Sequence, residues 1–240
     1  MQAIFETAFD AVYLVTVVTL GIIMIKRSLS NDFAEADSGQ VCLGSRQYLL
    51  FGIMAVTLGA GDAFHLVPRA IALCTTGLES YTAALGIGKL ITSVTMTAFY
   101  VLLYYVWKTR YKISGKPAVT AAVWLCAVVR AVLCFMPQNR WTSPDAPLSW
   151  GIIRNIPFAV LGGIIVVLFF QRAKKCGDRD FRFLWLTVVL SFGFYIPVVL
   201  FADAVPLIGM LMIPKTCAYV WTVLIGFNAM RRELKNEKMS

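Results

Sequence analysis

Seven apolar runs, each long enough to cross a bilayer and each ended by a polar joint, govern what this chain can fold into. They fall at roughly 4–25, 47–68, 83–107, 117–136, 150–171, 183–203 and 206–230. A spanning helix needs about 20 apolar residues. All seven runs are too long for strands, and none alternates with period two. The expectation is an all-α polytopic membrane bundle, one seven-helix transmembrane domain over residues 1–240. Composition agrees: 59% of the 240 residues are hydrophobic and 15% are charged, against about 25% charged in an average soluble domain. The opening MQAIFETAFD has no Lys or Arg before its apolar run, so it reads as a first helix rather than a cleavable signal peptide.

The net charge of +9 is unusual in so apolar a chain. Its distribution explains it. The joints after the first, third and fifth runs and the tail carry 16 of the 22 Lys and Arg, among them Lys26, Arg27, Lys108, Arg110, Lys174, Lys175, Arg231 and Arg232. On a seven-span path these segments share one side. Cytoplasmic segments are the basic ones, so the N-terminus is expected outside and the C-terminus in the cytoplasm. The location expected is a cell membrane, the inner one in a bacterium. Seven acids on that side leave the whole +9 there, and the excess is a topology signal that calls for no nucleic acid.

The ionisable residues placed deeper carry the functional reading. Arg69, Lys89, Arg130, Arg154, Lys215, Asp10, Asp62 and Asp203 all map to the outer half of the membrane or its rim. A charge near the bilayer centre costs about 2.5–3.5 kcal/mol on insertion scales, so it normally faces the bundle with a partner. Asp62, His65 and Arg69 follow helical spacing on the second helix, and Glu6, Asp10 and Tyr13 repeat it on the first. Lys89, Ser93, Thr97, Tyr100 and Tyr104 stripe the third, and Lys215, Tyr219 and Thr222 the seventh. Converging stripes predict a polar cavity open to the outer leaflet; for Ser93 and Thr97, hydrogen bonding between helices is the equal alternative. Pro157, Pro197 and Pro214 are expected to bend the last three helices.

Motifs narrow the field. Gly59-Ala60-Gly61-Asp62 matches the GxGD pattern of intramembrane aspartyl peptidases, which need a second aspartate to share a proton; glycines in membrane helices also simply mark close packing. Lys215 in a seventh span suggests a retinal protein, but no acid stands one turn before it. The single histidine, His65, excludes a multi-histidine metal site, and no metal or other cofactor is expected.

Two segments carry a family resemblance. Leu58-Gly-Ala-Gly-Asp62-Ala-Phe-His-Leu-Val-Pro-Arg69 resembles the "LGD…LLPR" stretch of the lysoplasmalogenase (YhhN-type) membrane family. Leu200-Phe-Ala-Asp203 with Thr216-Cys-Ala-Tyr219-Val-Trp-Thr-Val-Leu-Ile is similar to that family's closing segment. Together they cover about a sixth of the chain. The family usually has one further helix before the Gly-Asp element, and a histidine where Lys89 stands here. The resemblance implies hydrolysis of a lipid vinyl ether, in which a general acid protonates carbon and a neighbouring anion supports the oxocarbenium ion. Asp62 and Asp203 would be that catalytic pair. Arg69, Arg130 and Arg154 would hold the phosphate, because a guanidinium fork suits it. His65, Lys89, Lys215 and Tyr219 would orient the pair or water, with Asp10 and Tyr13 completing the lining. The rival expectation is a non-enzymatic seven-helix binder or transporter of an anionic lipid or small acid, using the same arginines. On either reading the partners are membrane lipid and an anionic ligand.

Overall fold

A computed structural model describes residues 2–30, 43–202 and 204–237. Those residues form seven long helices: α1 (Gln2–Leu29), α2 (Leu43–Cys74), α3 (Thr82–Arg110), α4 (Pro117–Phe135), α5 (Leu148–Cys176), α6 (Leu184–Phe201) and α7 (Met212–Glu237). Seven helices are long and apolar enough to cross a membrane. No strand occurs among the described residues. The chain is an all-α bundle of membrane-spanning type.

Sequential helices run antiparallel, and contacts at both ends fix this. Ser45, at the start of α2, donates to the carbonyl of Ser28 at the end of α1. Arg69, near the end of α2, binds Glu6 near the start of α1. At the end where α3 finishes, Arg110 reaches Asp178 in the α5–α6 joint and Glu233 on α7. The basic joints therefore gather at one end of the bundle, here called the basic end.

The helices are built on two-faced stripes. On α4, Leu125, Val128, Val132 and Phe135 are exposed, while Val123, Ala127, Arg130 and Cys134 are buried. Both sets follow the spacing of one helical face. The exposed apolar stripe suits lipid, and the buried stripe carries Arg130 inward. The most enclosed helix is α3. Its Phe99, Tyr100, Leu103, Tyr104 and Trp107 are at most 1% exposed, and the Trp107 indole donates to the Leu168 carbonyl of α5 at 3.0 Å. Phe99 meets Tyr219, and Tyr100 meets Phe158, edge to face, a favoured aromatic geometry.

Three expectations need correction. First, α2 does not stop at residue 68 but runs through Pro68 to Cys74. Proline removes the hydrogen bond to the carbonyl four residues back, here that of Phe64. That freed carbonyl faces Gly88 of α3, where no Cβ would fit. Second, the seventh helix begins at Met212, after a 3₁₀ stretch over Pro206–Leu211. Pro214 therefore stands in the first turn, where its missing N–H has no helical partner to lose, and it bends nothing. Pro157 and Pro197 do lie inside α5 and α6. Third, the Ser93 and Thr97 hydroxyls donate to Lys89 and Ser93 carbonyls of their own helix, not to another. The glycines of the GxGD segment mark close packing: Gly59 sits on Val18 of α1 and Gly61 on Thr95 of α3.

Candidate functional site

In the half of the bundle away from the basic end, α1 and α2 build an acid-lined seam. The Tyr13 hydroxyl, buried on α1, donates to Asp62 Oδ2 at 2.6 Å. One turn outward, Asp10 lies within electrostatic range of Glu6, Arg69 and Asp62. Arg69 donates through Nε and Nη2 to one Glu6 oxygen, at 3.0 and 2.6 Å. His65 lies between, on the α3 side of α2, with Nδ1 buried and unbonded among the described residues. Lys89 is exposed near it on α3. Asp62, His65 and Arg69 thus share a face, and Asp10 and Tyr13 meet it from α1, as their spacing predicts.

Lys215 links this seam to a second group. It lies on α7 within electrostatic range of both Asp62 and Arg130. Its Nζ is 4.8 Å from the Tyr195 ring centre and 5.4 Å from that of Tyr219. Arg130 is 2% exposed. Its Cζ lies 3.3 Å from the centre of the Phe158 ring. The Nε and Nη1 groups have no hydrogen-bond partner among the described residues. Arg130 hydrogen-bonds the Cys134 thiol and lies within electrostatic range of Tyr195 and Tyr219. No described carboxylate pairs with it.

The energetics of that arrangement are lopsided. Holding an ion out of water costs several kcal/mol even after relaxation. A desolvated cation–π contact returns about 2 kcal/mol. Two unsatisfied donors add to the deficit. A second cation at Lys215 adds repulsion. Among the described residues Arg130 has no carboxylate partner, and its donors are those that bind phosphate or carboxylate.

Arg154, the third arginine expected to hold a phosphate, is engaged elsewhere. It donates to Asn139 Oδ1 at 2.9 Å and stacks over Trp141 at 4.3 Å. Asn139 in turn donates to the carbonyls of Leu133, Cys134 and Met136, closing the end of α4. The Trp141 indole donates to Cys134, and its backbone packs on Gly86 of α3. The α4–α5 loop is thereby pinned to the neighbouring ends of α3, α4 and α5. Asp203, expected as partner to Asp62, lies outside the described residues. All five described cysteines are free.

Against known proteins, the chain matches no family model, no curated protein and no solved structure.

Sequence reading missed Phe158, Tyr195, Asn139 and Trp141. Phe158 and Tyr195 sit inside apolar runs and look like core, and their role comes only from contact with Arg130 and Lys215. Asn139 and Trp141 lie in a loop, where capping bonds leave no periodic trace. The basic-end network of Arg110, Asp178, Asp180 and Glu233 was equally hidden among the topology-setting charges.

Proposed function

We propose that this protein is a seven-helix membrane protein that binds an anionic group, a phosphate or a carboxylate, in the half of the bilayer opposite its basic end. The observation that carries the reading is Arg130: buried, positive, with two N–H groups unpaired among the described residues. Lys215 stands beside it as a second cation. The basic joints favour cytoplasmic placement of their end, so the site opens toward the outer leaflet. The test is native mass spectrometry of protein extracted in a mild detergent. An anionic adduct held by the wild type and lost from Arg130→Gln is expected. Equal adducts in both proteins would overturn the reading.

A second reading is the ether hydrolase that the sequence resemblance implies. It is favoured by the Tyr13–Asp62 hydrogen bond, which holds one Asp62 oxygen and fixes the orientation of the carboxyl group beside Lys215. A positioned carboxyl is what protonation of a vinyl ether carbon requires. Aldehyde release from a lysoplasmalogen, abolished in Asp62→Asn, would support this reading. Turnover unaffected by Asp62→Asn, or no aldehyde at all, would end it.

A further inference from the structure

Between α5 and α6 a groove of about 130 Å³ opens on the outer surface of the bundle, in the same half as Arg130. Ile156 and Ala159 of α5 and Phe192 and Val199 of α6 form its apolar walls. Phe158 and Tyr195 also line it. These two rings are the ones that carry Arg130 and Lys215. Single rings therefore separate an apolar groove from two embedded cations. Pro157 and Pro197 lie along the two walls, each removing a hydrogen bond from its helix. The Tyr195 hydroxyl donates to Asn155 Oδ1 at 3.2 Å, tying the helices together across the groove.

We infer that the anion arrives from the bilayer, as the headgroup of a lipid whose hydrocarbon chain lies in the α5–α6 groove. This rests on the anion-binding reading of Arg130 and names the ligand class. Three observations support the lateral route. Arg130 is 2% exposed, and the loop that follows its helix is held in place by Arg154, Asn139 and Trp141. In the α1–α2 seam Glu6, Asp10 and Asp62 stand together and Arg69 is already bound to Glu6, which makes it a poor entry for an anion. The groove is too small for a whole drug-sized ligand, which takes about 300 Å³ or more, and it is almost wholly apolar, so it suits one chain rather than a headgroup. Charge behind and hydrocarbon in front specify an amphiphile, negative at one end.

The full chain in phosphatidylcholine nanodiscs is titrated by calorimetry with dodecyl phosphate, dodecanol and inorganic phosphate, against empty discs. Dodecyl phosphate is expected to bind at least about tenfold more tightly than either of the others. Filling the groove by Ala159→Trp on one wall, or Val199→Phe on the other, is expected to weaken dodecyl phosphate by about tenfold. Both variants are expected to keep the wild-type melting temperature, which reports that they fold. Inorganic phosphate binding as tightly as dodecyl phosphate, or groove variants without effect, would overturn the lipid route and leave the anion site standing. Dodecanol binding as tightly would reduce the groove to an ordinary lipid-facing crevice and overturn the inference. Anion binding unchanged in Arg130→Gln would remove both the site and the route.

Discussion

The Arg130 guanidinium carbon lies 3.3 Å from the centre of the Phe158 ring, and no described acid stands beside it. An aromatic face is a weak counterion. In a soluble protein such an arginine would reach water. Here its helix has exposed Leu125, Val128 and Val132 on the other face, and turning Arg130 outward would place a charge in hydrocarbon. The chain instead keeps the charge inside, without a carboxylate partner among the described residues, a cost that a ligand would offset.

The basic end shows how the same fold treats a cation that has structural partners. Arg110 makes a fork to Asp178, with Nε–Oδ2 at 3.0 Å and Nη2–Oδ1 at 3.1 Å, and reaches Glu233 at 2.6 Å. It ties α3, the α5–α6 joint and α7 together. Removing one member of a buried pair strands the other. Arg110→Ala should therefore destabilise the detergent-solubilised protein by about 3 kcal/mol, read as a thermal melt. Arg110→Lys should fall between, because an ammonium cannot reproduce the fork. No change in either variant would show that the network is ornamental.

That network also predicts a pH dependence. Burial pushes the Asp178 carboxyl up, but hydrogen bonds and charge from Arg110, with the Phe181 N–H, outweigh burial and hold it below the usual carboxylate range. A depressed folded-state value means that ionised Asp178 stabilises the fold above its unfolded value, about 3.9. That contribution is lost as pH falls through the folded value. The melting temperature should decline on acidification below about pH 4, and Asp178→Asn should show a shallower decline from a lower starting point. An identical acid profile in the variant would contradict the assignment.

How much of this was legible beforehand follows from what periodicity can report. Helix number, the sidedness of Lys26, Arg110 and Lys174, and the shared face of Asp62, His65 and Arg69 all depend on spacing along one helix, and all appear in the structure. Boundaries were less legible. α2 continues through Pro68, and the carbonyl that Pro68 leaves free lies against Gly88 of α3, a contact 20 residues away that no spacing along α2 reports. Pro214 looked like a kink because the 3₁₀ turn before it is as apolar as a helix. Arg154 and Arg130 look alike in sequence. Only the loop residues Asn139 and Trp141 reveal that one is engaged and the other open.

The glycines offer a packing test with opposite signs. Gly88 leaves no room for a Cβ against the backbone of Phe64 and His65, whereas Gly163 of α5 faces open space. Gly88→Ala should force α2 and α3 apart and destabilise the fold by about 1–3 kcal/mol, the usual cost of overpacking. Gly163→Ala should be neutral or stabilising by up to about 1 kcal/mol, from helix propensity. Thermal melts of the two variants side by side test this, and equal behaviour would contradict the close α2–α3 contact at Gly88.

The most direct measurement is the stability of ligand-stripped Arg130→Met. Methionine has similar length, keeps contact with Phe158 and removes the buried charge. If Arg130 is held for an anion, the variant should melt no lower than the stripped wild type, because replacing an unpaired buried ion with an apolar side chain is neutral or stabilising. It should also gain nothing from dodecyl phosphate, whereas the wild type should be stabilised by it. A loss of about 3 kcal/mol or more in the stripped variant would show that Arg130 has internal partners and serves the fold, and the anion site would be refuted.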